Sequence, residues 1–179
     1  MDLSSLPTTV VSQVASAVEG YISASRKKYA PKANPLSPAQ KSTMQSFFGS
    51  EVLEQIRVLV LDGTRIEDPP FYAMAKMMGI RNLPSFSDVA AVTFVDVVVS
   101  HEPFSESLLF HELVHVVQYA QMGTQEFAAR YVQGFLKHGS YEEIPLERNA
   151  LELEDRFKKE SGAFSVADEV RSWREAGKF

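Results

Sequence analysis

Apolar residues recur every three to four positions from Thr8 to about Ala30, with Val11, Val14, Val18, Tyr21 and Ile22 sharing one side. This periodicity predicts a helix that ends before Pro31. Pro31 to Leu36 reads as a turn or linker, and Ser37-Pro38 opens a second helix with proline at its first helical position. That helix is expected to run to about Phe48 and stop at Gly49. Ile56 to Leu61 is rich in β-formers and closes on Asp62-Gly63, a strand followed by a turn. Phe71 to Met78 predicts a short helix ended by Gly79. Ala90 to Ser100 is the strongest β signal, either one unusually long strand or a tight hairpin turning near Val95-Asp96. Helical patterns follow from Ser105 to Met122, from Gln125 to Lys137 behind a Thr124 cap, and from about Pro145. A last helix has Ser165 as N-cap and Asp168 three residues on, close to a capping box. Helix, sheet, then helices: the expectation is a mostly helical α+β domain with a small β-sheet preceding the Ser105 helix. It is read as a single domain over 1–179, with an N-terminal helical region 1–55, a core 56–160 and a C-terminal helix 161–179.

The Ser105 helix carries the pattern His111-Glu112-Leu113-Val114-His115, an H-E-x-x-H. Residues four apart on a helix lie one turn apart on one face, so the two imidazoles converge on a point that suits Zn²⁺. Glu112 lies further round, placed to move a proton and not to ligate. The pattern arises by chance often enough that context must decide. With His111 at 0° and about 100° per residue, Leu109, Phe110, Leu113, Val116, Val117 and Ala120 fall between about 140° and 260°. Both histidines fall on the opposite side, at about 0° and 40°. Leu108 and Met122 lie near them, so that side is not an open solvated face. Buried imidazoles need partners, and a metal supplies them.

Composition narrows the classes. The hydrophobic fraction is 45% and the charged fraction 23%, both ordinary for a globular protein. Net charge is −5 and the basic residues are scattered apart from Arg26-Lys27-Lys28, so no nucleic-acid partner and no membrane surface is expected. Cysteine is absent, which excludes disulfides, thiolate ligands and a cysteine nucleophile. The Met1–Ser5 segment lacks the positive start of a signal peptide, and no apolar run reaches membrane-spanning length. A cytoplasmic location is the expectation.

A hydrolytic zinc site takes three protein ligands and a water. Gln121 stands where a closely spaced third histidine would fall, so the third ligand is expected to be a carboxylate. Pro145 starts a helix with Leu146, Ala150, Leu153 and Phe157 as its buried stripe, which leaves Glu147 on an adjoining face in the first turn. Ala150 would let this helix approach the histidine helix closely. Glu147 is the first candidate ligand, with Glu143 and Glu152 as alternatives.

The run His-Glu-Leu-Val-His-Val-Val-Gln-Tyr from His111, followed by Ile-Pro-Leu-Glu-Arg-Asn-Ala from Ile144, resembles the bacterial zincin-like domains of the DUF4157 type. More widely it is similar to the gluzincins, zincins whose third ligand is a glutamate. The resemblance covers roughly Ala90 to Phe157. It implies a zincin-like core, His111, His115 and Glu147 as zinc ligands, and Glu112 as general base of a metallopeptidase acting on a peptide or protein substrate. The chain departs from that pattern at Asn149, where an acidic residue is expected. An oxyanion would need a donor across the cleft, and Tyr141 and His138 are candidates. The Val95 to Ser100 strand offers a candidate edge for an extended peptide, or simply core. The N-terminal helix is a candidate cover for the cleft. The alternative function is a catalytically silent zinc-binding fold serving as a regulatory module or effector; the presence of Glu112 favours the hydrolase.

Overall fold

The computed structural model describes residues 7–77, 83–159 and 162–179. It is a mixed α+β structure, rich in helix, and every strand precedes the histidine helix. Helix α1 spans Thr8–Tyr29 and passes through a 3-10 turn, Ala30–Lys32, into the two-residue strand β1, Asn34–Pro35. Helix α2, Pro38–Met44, opens on a full capping box: Ser37 Oγ accepts from the Gln40 amide and Gln40 Oε1 accepts from the Ser37 amide. It is shorter than the expected run to Phe48. The residues after it turn and start a separate helix, α3, Ser50–Gln55, which the apolar pattern did not announce. Gly49 is thus the N-cap of α3.

Strand β2, Arg57–Val60, falls inside the expected β segment, and α4, Tyr72–Met77, inside the expected short helix. The expected stop at Gly79 lies outside the described residues, as does the Met1–Ser5 segment. The long β signal is a hairpin: β3, Ala91–Phe94, and β4, Val97–Ser100, joined by Val95-Asp96. Val95 has φ 65°, positive at the first of the two turn residues, where a glycine is usually favoured. Asp96 is held from outside by Arg26 Nε and Nη2 at 2.5 and 2.8 Å, which ties the turn to α1.

The sheet order is β1-β2-β4-β3, with β2 and β4 parallel and the other pairs antiparallel. Strand β4 is therefore interior and buried throughout. It offers no edge, which corrects the expectation that Val95 to Ser100 might receive a peptide; β3 lies at the end of the sheet. Side chains alternate across the sheet as strand geometry requires. Phe94, Val97 and Val99 pack on one face with Tyr29 from α1, whereas Val98 faces Leu109, Phe110 and Leu113 on the other.

That second face carries α5, Glu106–His138, capped by Ser105 Oγ, which accepts from the Leu108 amide. Gly123, with the non-helical φ 74° and ψ 165°, kinks α5 and divides it into two helical segments, as expected from the separate helical patterns Ser105 to Met122 and Gln125 to Lys137. Most of the expected apolar face is core, but Ala120 is exposed and Val114 fully buried, so the buried stripe is rotated from the one drawn around Ala120. Helix α6, Pro145–Lys158, packs along α5, and α7, Val166–Glu175, has Ser165 as N-cap, accepting from the Asp168 amide. Phe110 and Phe157 stack at 4.5 Å between centroids and join α5 to α6, an arrangement worth about 0.5–1.5 kcal/mol beyond area burial. Among the described residues no helix is long and apolar enough to cross a membrane.

Candidate metal centre

His111 and His115 project from α5 toward the first turn of α6, where Glu147 meets them. The register of α6 follows from its start: Pro145 is preset for the first helical position, and Leu146 and Ala150 are fully buried against the core. Glu147 is thereby turned inward, and only 3% of it is exposed. Glu143 and Glu152, the alternatives, are both exposed. A second close approach fixes the same helix start. Gly134 of α5 faces Pro145 so closely that a Cβ there would fall 2.7 Å from Pro145 Cδ.

The three inward atoms form a triangle. His111 Nε2 and His115 Nε2 are 3.2 Å apart, and Glu147 Oε2 is 3.5 Å from the first and 3.3 Å from the second. The outer nitrogens show what the inner ones carry. His111 Nδ1 donates to Glu154 Oε2 at 3.1 Å, and His115 Nδ1 donates to Gln118 Oε1 at 2.9 Å. The Gln118 amide is oriented in turn, because its Nε2 donates to Leu146 O and to Asn149 Oδ1, both at 3.0 Å. With both Nδ1 positions protonated, neutral rings present two bare lone pairs at Nε2. Glu147 Oε2 faces them buried and without a hydrogen-bond partner. Three electron pairs aimed at one point repel unless a cation lies between them, so the arrangement is compatible with a metal site.

Without a metal, the cluster can be relieved only by protons. Burial lowers the His111 pKa, but Glu147 and Glu154 outweigh it and push it up to about 10. His115 is likewise raised, burial opposing and Glu147 prevailing. Burial raises the pKa of Glu147, yet the two imidazoles hold it well below the usual carboxylate range.

Glu112 stands beside the triangle and outside it. Its Oε2 accepts a 2.6 Å hydrogen bond from Thr93 Oγ1 of β3, and it lines a cavity of about 90 Å³ together with His115 and Glu147. Tyr119, Tyr131 and Tyr141 also line this cavity. Burial and the nearby Glu147 raise the pKa of all three phenols well above normal, so each keeps its proton. Tyr141, one of the two expected donor candidates, is thus among three protonated phenols on this cavity. His138, the other candidate, is the exposed last residue of α5 and is not among the described residues lining the cavity. The remaining histidine, His101, is structural: its Nδ1 bonds Val89 O and its Nε2 accepts from the Ile66 amide. Tyr21 and Ile22 of α1 and Tyr72 of α4 also line this cavity.

Thr93, Gln118, Asn149 and Glu154 were not assigned roles from the sequence. Gln118 follows His115 by three residues, one turn along the same face, and that spacing was a usable signal. Glu154 follows Glu147 by two turns and was readable only once Glu147 was fixed. Compared with protein-family models, curated proteins and solved structures, the chain matches none, so no relative identifies a zincin-like domain here.

Proposed function

We propose that the chain is a zinc-dependent metallopeptidase of zincin type, with His111, His115 and Glu147 as ligands and Glu112 as general base. The observation that carries this reading is the triangle of bare donor atoms with edges of 3.2, 3.3 and 3.5 Å. A tetrahedral ion with bonds of roughly 2.0–2.1 Å has ligand–ligand edges of about 3.3 Å, and two imidazoles with a carboxylate make a zinc donor set of hydrolytic type. When bound, zinc supplies a positive charge that acidifies water and polarises a substrate carbonyl.

The chain's own residues do the rest. Thr93 holds one oxygen of Glu112 and fixes its direction, so that Glu112 takes the proton of the attacking water and delivers it to the departing amine. A phenol kept neutral, Tyr141, donates to the carbonyl oxygen as charge develops there. The aromatic walls exclude water and strengthen each of these interactions.

The test is zinc content and peptide cleavage, measured together. Wild type is expected to carry about one zinc per chain and to cleave members of a broad peptide library. Glu112→Gln is expected to keep the zinc and lose about 10²–10⁴-fold in rate. Absence of zinc binding sinks the reading; zinc with no turnover, including after removal of α1, leaves a zinc-binding module.

A further inference from the structure

A second cavity, of about 270 Å³, adjoins the one at the metal centre, and the two share Val18, Phe71, Tyr72 and Tyr131 as common walls. It runs between α1, α4 and the half of α5 beyond the Gly123 bend. Its walls are aliphatic and aromatic; among the described residues the polar groups on it are Gln13 and the hydroxyls of Tyr72 and Tyr131. Val14, Ala17 and Val18 of α1 are only half-buried, so an apolar stripe of this helix borders empty space. Among the described residues the charged side chains on the two cavities are Glu112, His115 and Glu147, all at one end.

We infer that the paired cavities hold a long, unbranched acyl chain, with its carbonyl at the metal centre and its methylenes running between α1 and α5. This rests on the hydrolase reading above and names the substrate class: amides joining such a chain to an amine. A peptide backbone continuing into the second cavity would bring an N–H and a C=O per residue against walls that, among the described residues, offer few polar partners. A hydrocarbon chain has no such groups, and its burial is favourable at every methylene. Hydrolysis adds water across the amide: the oxygen joins the carbonyl carbon, the C–N bond breaks, and the nitrogen leaves protonated. The products are a fatty acid and an amine.

The experiment is displacement of a dansyl-labelled undecanoic acid by octanoic, decanoic and dodecanoic acids. The series is expected to tighten roughly four-fold per added methylene until the cavity is full. Ala17→Phe should weaken dodecanoic acid by at least about ten-fold while zinc content stays unchanged; Val14→Trp serves if that variant does not fold. Chain-length-independent displacement, or a folded cavity-filling variant that binds as well as wild type, overturns the inference. His115→Ala separates it from the parent reading, because the mutation removes a ligand but leaves the walls of the second cavity intact. Wild type that binds the chain but takes up no zinc would sink the hydrolase and keep the pocket, whereas a folded His115→Ala variant that loses the chain-length dependence along with its zinc would overturn the inference. On the enzyme, N-dodecanoylglycine should be cleaved and N-acetylglycine spared; equal rates on both also overturn it.

Discussion

Glu154 Oε2 accepts the Nδ1 proton of His111 at 3.1 Å from the same helix that brings Glu147 to the opposite ring nitrogen. One helix thus supplies both the candidate ligand and the carboxylate that orients another ligand. Removing an orienting partner of this kind typically costs 10- to 100-fold in metal affinity, about 1.4–2.7 kcal/mol. Glu154→Ala is expected to weaken zinc by about that factor without abolishing binding, whereas Glu147→Ala abolishes it. Exposed Glu143 and Glu152 should be replaceable by alanine with no change. Competition titration against a chelator of known affinity distinguishes the four variants.

Zinc and protons compete for the same atoms. In the metal-free protein His111 is held protonated up to a pKa of about 10, against an ordinary value of 6.5. Zinc must displace that proton, so apparent zinc affinity should rise between pH 6.5 and 10, by about ten-fold per unit for one released proton. The stability of the metal-free protein moves the other way. A raised histidine pKa contributes stability that is complete below about 6.5 and is lost as pH climbs through about 10. Calorimetry of zinc binding in buffers of different ionisation enthalpy counts the proton, and denaturation of the metal-free protein across this range checks the sign.

Gly134→Ala tests whether the approach of α5 to α6 sets the ligand geometry. The added Cβ would lie 2.7 Å from Pro145 Cδ and 3.2 Å from Ile144 Cγ2, so the start of α6 must move. Overpacking of this kind costs typically about 1–3 kcal/mol. Since Glu147 lies two residues beyond Pro145, loss of zinc affinity should accompany the loss of stability. A variant that is less stable but binds zinc unchanged would show that α6 shifts without disturbing Glu147.

Thr93→Val removes the hydroxyl that Glu112 accepts from while keeping the side chain's shape. Zinc content should not change, and cleavage should fall by about ten-fold through kcat, because the base loses its orientation and not its identity. An equal rise in KM with kcat intact would instead place Thr93 in substrate binding.

The triangle was legible because its parts are local. Helical spacing places His111 and His115 on one face, and Pro145 sets the register that turns Glu147 inward. The hairpin at Val95-Asp96 was legible as one of two alternatives. What escaped depends on partners distant in sequence. Glu154 sits in the acidic run Glu152-Leu153-Glu154-Asp155 and has no local mark separating it from exposed Glu152. Thr93 matters only because β3 lies against α5. Helix α3 escaped because Gly49 was read as the end of one helix, whereas it caps the next. The break between Met122 and Gln125, by contrast, was legible, and Gly123 makes it with its non-helical φ 74° and ψ 165°.

All three candidate ligands lie on α5 and α6, two helices adjacent in the chain, and none comes from the sheet or from α1. A bound ion would therefore close a short loop, at a modest entropic cost, before any distant strand had paired. It would act as a crosslink available early in folding, not as a last addition to a finished site. Refolding in the presence of zinc would then start from a tethered helical pair, and the slow step would shift to bringing α1 and the parallel β2–β4 contact onto it.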